Sequence, residues 1–141
     1  MAAAREHSVD VRWRDVDALD HVNHAVFLTY LEEGRDAFYT QLLRRVPPDY
    51  VVVRLEIDLR AEVRYEDRRV AVRIEAERLG TTSLTTRETI TTPAGELAAE
   101  ARVVTVRWDR VLRKPSPFTE AERARLAAPE TGRSQADQTG P

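Results

Sequence analysis

The chain of 141 residues is long enough for one domain with a hydrophobic core and too short for two ordinary ones. Its formal net charge of −2 offers no broad positive field to nucleic acid or to an anionic membrane, and the absence of cysteine rules out a thiol nucleophile and a disulfide framework. The start, Met1 to Ser8, has no apolar signal region and no segment reaches transmembrane length, so a soluble cytoplasmic protein is expected. Of the 22 basic residues only Lys114 is lysine, and arginine suits bidentate recognition of phosphate.

Val9, Val11 and Trp13 alternate with Asp10, Arg12 and Arg14, which predicts a half-buried strand. Asp15, Asp17, Asp20, His21, Asn23 and His24 then fall together where the strand stops and an amphipathic helix begins. Carboxylates, imidazoles and a helix amino terminus can together activate water and stabilise a developing oxyanion, so function is expected here. Phe27, Tyr30, Leu31, Gly34, Ala37, Phe38 and Leu42 recur at helical spacing, with Asn23 as the N-cap. Gly34 costs the helix about 1 kcal/mol against alanine, which points to close approach of a neighbouring surface. Pro47-Pro48 bars continuation of the helix.

From there the period changes from 3.6 to 2. Val51, Val53, Leu55, Ile57 and Leu59 alternate with charged residues; a turn around Glu66-Asp67 leads to Val70, Val72, Ile74 and Ala76. Gly80 precedes the threonine-rich segment 83–92, Thr92-Pro93-Ala94-Gly95 is a hairpin turn, and the last strand runs from about Leu97 to Trp108. One strand, one long helix and four further strands make an α+β domain, and both element types are buried only if the sheet curls around the helix. Pro115 and Pro117 end this body, a short helix is predicted over Thr119 to Ala127, and the domain is placed at 1–128, with a polar, disordered tail at 129–141.

The pattern resembles the hotdog-fold thioesterases of the 4-hydroxybenzoyl-CoA thioesterase-like type. The likeness rests on Arg14-Asp15-Val16-Asp17-Ala18-Leu19-Asp20-His21-Val22-Asn23-His24-Ala25, with Phe27, Tyr30, Glu32, Glu33 and Arg35 beyond it. This stretch is also similar to the Asp-x-x-x-His-Val-Asn-Asn segment of fatty acyl thioesterases. Supporting pieces are Val63 to Asp67, Glu77 to Leu84, Leu97 to Ala101 and Arg113 to Pro117. The resemblance implies a five-stranded antiparallel sheet wrapped around one long central helix. It further implies homodimers, or tetramers built from them, joined sheet edge to sheet edge with active sites between subunits. The implied reaction is hydrolysis of an acyl-CoA thioester without metal or cofactor. Asp17 matches the family's catalytic carboxylate; His21, Asn23 and His24 match polar positions of the acyl-thioesterase pattern. The carbonyl-binding N–H groups would come from about His24 and Ala25. Many relatives have small residues, often glycine, between the aspartate and the helix, where this chain has Leu19 and Asp20.

Read by their chemistry, these residues keep alternatives open. Asp17 either acts on the thioester or fixes its loop by backbone hydrogen bonds; Asp15 is expected to hold the loop, and Asp20 to be a turn residue. His21 and His24 either polarise the substrate and orient Asp17 or serve structural hydrogen bonds. A metal is disfavoured, because the Asp15-x-Asp17-x-x-Asp20 spacing lacks the glycine and terminal acid of a calcium loop and no third histidine or cysteine stands nearby for zinc. Asn23 is a cap first and a substrate contact second. Glu32, Glu33, Arg35 and Asp36 read as a helix charge network in which Glu33 is a lesser catalytic candidate. Arg54, Arg60, Arg64, Arg68 and Arg69 read mostly as a solvated face with potential CoA contacts. The alternative functions are a hotdog hydratase or dehydratase acting on acyl thioesters, and a non-catalytic acyl-thioester-binding protein.

Overall fold

The structure is a computed structural model and describes residues 3–128, so the expected tail at 129–141 lies outside the described residues. Its strands are β1 (Ala4–Asp10), β2 (Tyr50–Leu59), β3 (Arg69–Leu79), β4 (Ser83–Thr91), β5 (Leu97–Asp109) and the two-residue β6 (Lys114–Pro115), with helices α1 (His24–Ala37) and α2 (Glu120–Ala127). The sheet is antiparallel throughout, in the order β1-β3-β4-β5-β2, and β6 adds to the end of β5 through Trp108 and Asp109. This is the curled sheet around one long helix that the patterning predicts. The sixth strand is an addition that two residues of sequence could not signal.

Two strand readings change. The first strand begins at Ala4 and ends at Asp10, and Trp13 sits in a 3₁₀ turn with 74% of its surface exposed. Residues 11–14 alternate in hydropathy, but Asp15 draws the chain into the turn by accepting a hydrogen bond from the Arg12 N–H at 2.9 Å. In β2 a bulge between Val52 and Arg54 turns Val53 outward. Its inner face is therefore Val52, Leu55, Ile57 and Leu59, which pair with Thr105, Val103, Ala101 and Ala99.

Helix α1 is held by its apolar stripe. Phe27, Tyr30, Leu31 and Gly34 are buried within it, and one π turn (Phe38–Leu42) extends it so that Phe38 and Tyr39 are buried too. The helix packs on β1, β3 and β4, and the close approach expected of Gly34 is present. A Cβ on Gly34 would lie 2.4 Å from Val72 Cγ1 and 3.0 Å from Val72 Cβ, both in the core. Beside it, Arg35 crosses to β4 and forms a bidentate pair with Glu88, Nε to Oε2 at 3.0 Å and Nη2 to Oε1 at 2.8 Å. Thr86 donates to the same carboxylate at 2.7 Å, and both charged side chains are buried. Burial works against the Arg35 charge, yet Glu88 outweighs it and holds the guanidinium pKa above its ordinary value.

The helix charge network expected among Glu32, Glu33, Arg35 and Asp36 is thus replaced by contacts out of the helix. Arg35 meets Glu88, Asp36 accepts from the Tyr50 hydroxyl at 2.5 Å, and Glu33 faces Arg12 at 3.6 Å. Removing one member of a buried pair strands the other charge, which costs about 3–5 kcal/mol. Arg35→Met and Glu88→Gln are each expected to lower unfolding free energy by that amount in urea titration, whereas Arg35→Met/Glu88→Leu loses less than the sum. Additive losses would show that the pair is not coupled. Gly34→Ala is expected to destabilise by about 1–2 kcal/mol, because overpacking against stiff, buried Val72 exceeds the gain in helix propensity; a gain in stability would contradict the close approach.

Candidate active site

The polar cluster divides into parts with different work. Asp15 is buried, 5% exposed, and accepts from the Arg12 N–H at 2.9 Å and the Tyr30 hydroxyl at 2.8 Å. Its backbone carbonyl accepts from the Asn23 N–H at 2.9 Å. Burial pushes the Asp15 carboxyl up, but the Arg12 N–H, the Tyr30 hydroxyl and the Arg12 guanidinium together bring it below the usual aspartate value. Asp15 therefore holds the loop, as expected. Tyr30 is the partner that sequence reading missed: it falls in the apolar stripe, and only the rule that a buried tyrosine hydroxyl needs a partner could have flagged it.

From Val16 to Val22 the chain forms a miniature hairpin. Val16 and Val22 make an isolated antiparallel bridge, the Asp17 N–H donates to the His21 carbonyl at 3.0 Å, and the Asp20 N–H to the Asp17 carbonyl at 3.1 Å. Asp17 Oδ1 accepts from the Leu19 N–H at 2.9 Å, which closes the turn. Asp20 takes a left-handed backbone, φ 62°, a conformation cheapest for glycine and tolerated by aspartate. Its carboxylate pairs with Arg64 at 2.8 Å, so an arginine offered to CoA by the sequence reading is engaged in bracing this loop.

These bonds leave the Asp17 side chain half occupied. Oδ1 is tied within the turn; among the described residues nothing donates to Oδ2, and the side chain is 30% exposed. His21 Nε2 lies 3.8 Å from Asp17 Oδ1, beyond hydrogen-bond distance but on the same side of the hairpin. Asn23 caps α1 by accepting the Ala25 N–H at 3.0 Å. The Ala25 donor is therefore in use, while the His24 N–H has no acceptor among the described residues. His24 and Ala25 are exposed at the helix start, where the dipole favours negative charge. The Val22 N–H donates to the Val63 carbonyl at 2.7 Å, which fixes the whole assembly to the end of β2.

The structure thus brings together Asp17, His21, Asn23, His24 and Ala25. It does not bring Glu33 into this hairpin. A depression of about 560 Å³ on the outer sheet face, lined by Arg54, Glu56, Glu77, Arg78 and Arg102 among others, contains no residue of the hairpin. Among the described residues no helix is long and apolar enough to cross a membrane, and no group of three His, Asp or Glu side chains is placed to hold a metal ion.

A curled sheet around one long helix is also what the comparison with known proteins finds. Residues 11–126 match the family model of the thioesterase-like superfamily. The chain belongs to that superfamily. It is a thioester hydrolase with the hotdog fold. A thioesterase from Thermus thermophilus, complexed with coenzyme A and zinc, is 35% identical with a TM-score of 0.76, over 87% of this chain and 97% of that one. A predicted thioesterase from Bacillus stearothermophilus is 26% identical, TM-score 0.78, over 88% and 94%. A 1,4-dihydroxy-2-naphthoyl-CoA thioesterase from Synechocystis shares the fold at 18% identity and TM-score 0.72, over 87% and 95%. No curated protein matches the chain.

The depressed Asp15 carboxyl makes this loop acid-sensitive. A lowered folded-state pKa contributes stability above the ordinary aspartate range near about 3.9, and that contribution disappears as pH falls through the folded value. Asp15→Asn is therefore expected to lose stability at neutral pH, by about 1–3 kcal/mol for the disturbed buried acceptor, and to differ less from wild type as acid is added. Urea midpoints between neutral pH and pH of about 3 test this; a gap that widens in acid would reverse the assignment.

Proposed function

We propose that the protein hydrolyses acyl-CoA thioesters and that Asp17 is the reacting carboxylate. The observation that carries this reading is the state of Asp17: among the described residues one oxygen is tied in the turn and the other accepts from nothing, in the hairpin that leads directly into the helix start, where the His24 N–H likewise has no acceptor. A thioester carbonyl placed between them meets a base or nucleophile on one side and a donor on the other. Asp17 either attacks the carbonyl carbon itself or takes a proton from the water that does. In both routes negative charge grows on the carbonyl oxygen, where the His24 N–H and the helix dipole stabilise it. The C–S bond then breaks and the CoA thiolate leaves; on the general-base route it takes the proton that Asp17 drew from water, and on the nucleophilic route water cleaves the Asp17 acyl anhydride, freeing the acid and supplying the proton for the thiolate. His21 and His24 supply imidazoles at the rim, and Asn23 keeps the helix start rigid.

The active unit in this reading is a homodimer joined through β2. Both β1 and β2 are sheet edges, but β2 is the apolar one, with Val52, Val53 and Leu59 exposed by 43%, 59% and 50%. An exposed apolar edge is a template for pairing with another strand. Helix α1 packs chiefly on β1, β3 and β4, so the inner face of β2 is covered only in part: Tyr50, Leu55 and Ile57 reach the core, while Val52 and Leu59 stay exposed to a partner or an acyl group.

Thiol release from a panel of aromatic, short-chain and long-chain acyl-CoAs tests the reaction. Wild type is expected to release CoA, and Asp17→Asn to do so at least about 100-fold more slowly, as when an acid–base group is lost. Unchanged turnover in Asp17→Asn would remove Asp17 from the mechanism; hydration of an enoyl ester without thiol release, or binding without turnover, would favour the alternative functions. In sedimentation the wild type is expected at twice the chain mass of 16.1 kDa, and Val53→Glu/Leu59→Glu at the single mass.

A further inference from the structure

Two large apolar side chains stand exposed on either side of the groups that carry the proposed reaction. Leu19 keeps 77% of its surface open on the hairpin, and Leu28 keeps 41% open on the first turns of α1. A single exposed leucine is ordinary on a protein surface. Two of them flanking a half-engaged carboxylate and an open N–H donor are placed where a substrate would meet them.

Leu19 occupies the tip of the miniature hairpin. The Asp20 N–H donates to the Asp17 carbonyl at 3.1 Å, closing a turn over 17–20 in which Leu19 stands third. Glycine, asparagine, aspartate and serine suit such positions because each meets a local demand of the backbone. Leucine meets none of them, and Ala18 beside it is exposed as well. Yet the Leu19 N–H donates to Asp17 Oδ1 at 2.9 Å. One residue thus steadies the carboxylate through its backbone and holds an isobutyl group close beside it.

Leu28 lies four residues beyond His24, so the two share a face of α1. The Cα–Cβ bonds of a helix tilt toward its amino terminus, which lays the Leu28 side chain over the turn that begins at His24. The exposed residues of this face are His24, Ala25, Leu28, Thr29 and Glu32. A fully solvated face would be polar along its length. This one is apolar at Ala25 and Leu28, next to the open His24 N–H, and turns polar at Thr29 and Glu32.

We infer that Leu19 and Leu28 are specificity-determining residues that grip the first carbons of the acyl group beyond the thioester carbonyl. The inference rests on the acyl-CoA reading, in which that carbonyl lies between Asp17 and the His24 N–H. The acyl chain leaves the same carbon, and so passes between the leucine beside Asp17 and the leucine over the His24 turn. The substrate class this selects is an acyl group that is apolar from the carbon next to the carbonyl outward. A hydroxyl on the third carbon, or a second carboxylate close by, would lose water against leucine and gain no hydrogen bond from it.

Butyryl-CoA and 3-hydroxybutyryl-CoA, equal in chain length and different by one hydroxyl, test the assignment. Wild type is expected to favour butyryl-CoA at least about tenfold in kcat/KM, within what an apolar contact discriminates. In Leu19→Gln/Leu28→Gln that ratio is expected to fall at least about fivefold, chiefly through the butyryl ester, while Leu19→Met/Leu28→Met keeps it. No preference in wild type, an unchanged ratio in the glutamine variant, or equal loss on both esters overturns the inference. S-butyl-CoA, a thioether that cannot be hydrolysed, gives a readout without turnover. In calorimetric titration wild type is expected to bind it at least about tenfold more tightly than CoA, and the glutamine variant to lose most of that difference. A difference that is absent, or that the glutamines leave intact, overturns the inference. A difference that depends on the leucines in a protein that cleaves no thioester overturns the hydrolase reading alone. Sedimentation separates the remaining alternative: a glutamine variant lighter than wild type would assign the leucines to a subunit contact and overturn the inference.

Discussion

The contact between Gly34 and Val72, with Arg35 reaching Glu88 beside it, sets the geometry on which the site depends. A glycine lets the helix approach β3 more closely than any side chain would permit. At that distance the neighbouring arginine can cross to β4 and make two hydrogen bonds to one carboxylate. The first contact fixes how far the helix stands from the sheet, and the second fixes its rotation about its own axis. Neither is a cheap source of stability, since burying two charges recovers little more than it costs. Their value is definition. With depth and rotation set, Tyr30 faces Asp15, Asp36 faces Tyr50, and the helix start lies against the hairpin.

That definition explains why so many polar residues crowd into ten positions. If Asp17 reacts as proposed, it must keep one oxygen unengaged, which leaves it unable to order its own loop fully. The ordering falls to its neighbours: Asp15 anchors the loop from below, Asp20 braces it to Arg64, Asn23 turns it into the helix, and the Val16–Val22 bridge closes it. Three aspartates close in sequence therefore do three different jobs. The distinction is set by burial and by the number of donors each receives.

The fold was legible because hydropathy period is a local quantity. Spacings of three and four in residues 27–42 and of two in residues 51–108 are enough to order one helix and its strands. Asn23 as cap and Gly34 as close approach were legible for the same reason, each being a local conformational demand. What failed was one local competition and several non-local contacts. Trp13 continues an alternating pattern, yet Asp15 turns the chain before it. The bulge at Val53 reflects an edge strand with freedom on one side, which composition does not reveal. Arg35 and Glu88 are 53 residues apart, and no spacing rule joins them. Within the site, the identity of the hairpin could be read from the motif, but not that Asn23 consumes the Ala25 N–H and leaves His24 as the open donor.

The arrangement of charges over the molecule follows from the same topology. A helix packed chiefly on β1, β3 and β4 leaves part of β2 uncovered, and an exposed apolar edge strand is a template for pairing with another strand. If that other strand is an identical one, the pairing is antiparallel, and every feature at one end of β2 acquires a neighbour from the other end. The Asp17 hairpin, with its acids Asp15, Asp17 and Asp20, stands at one end; Arg44, Arg113 and Lys114, which have no partner among the described residues, stand at the other. Within a protomer this is a separation of opposite charge along a strand. Across a two-fold axis it would become juxtaposition, and opposite charge at the two ends of β2 favours the antiparallel encounter electrostatically.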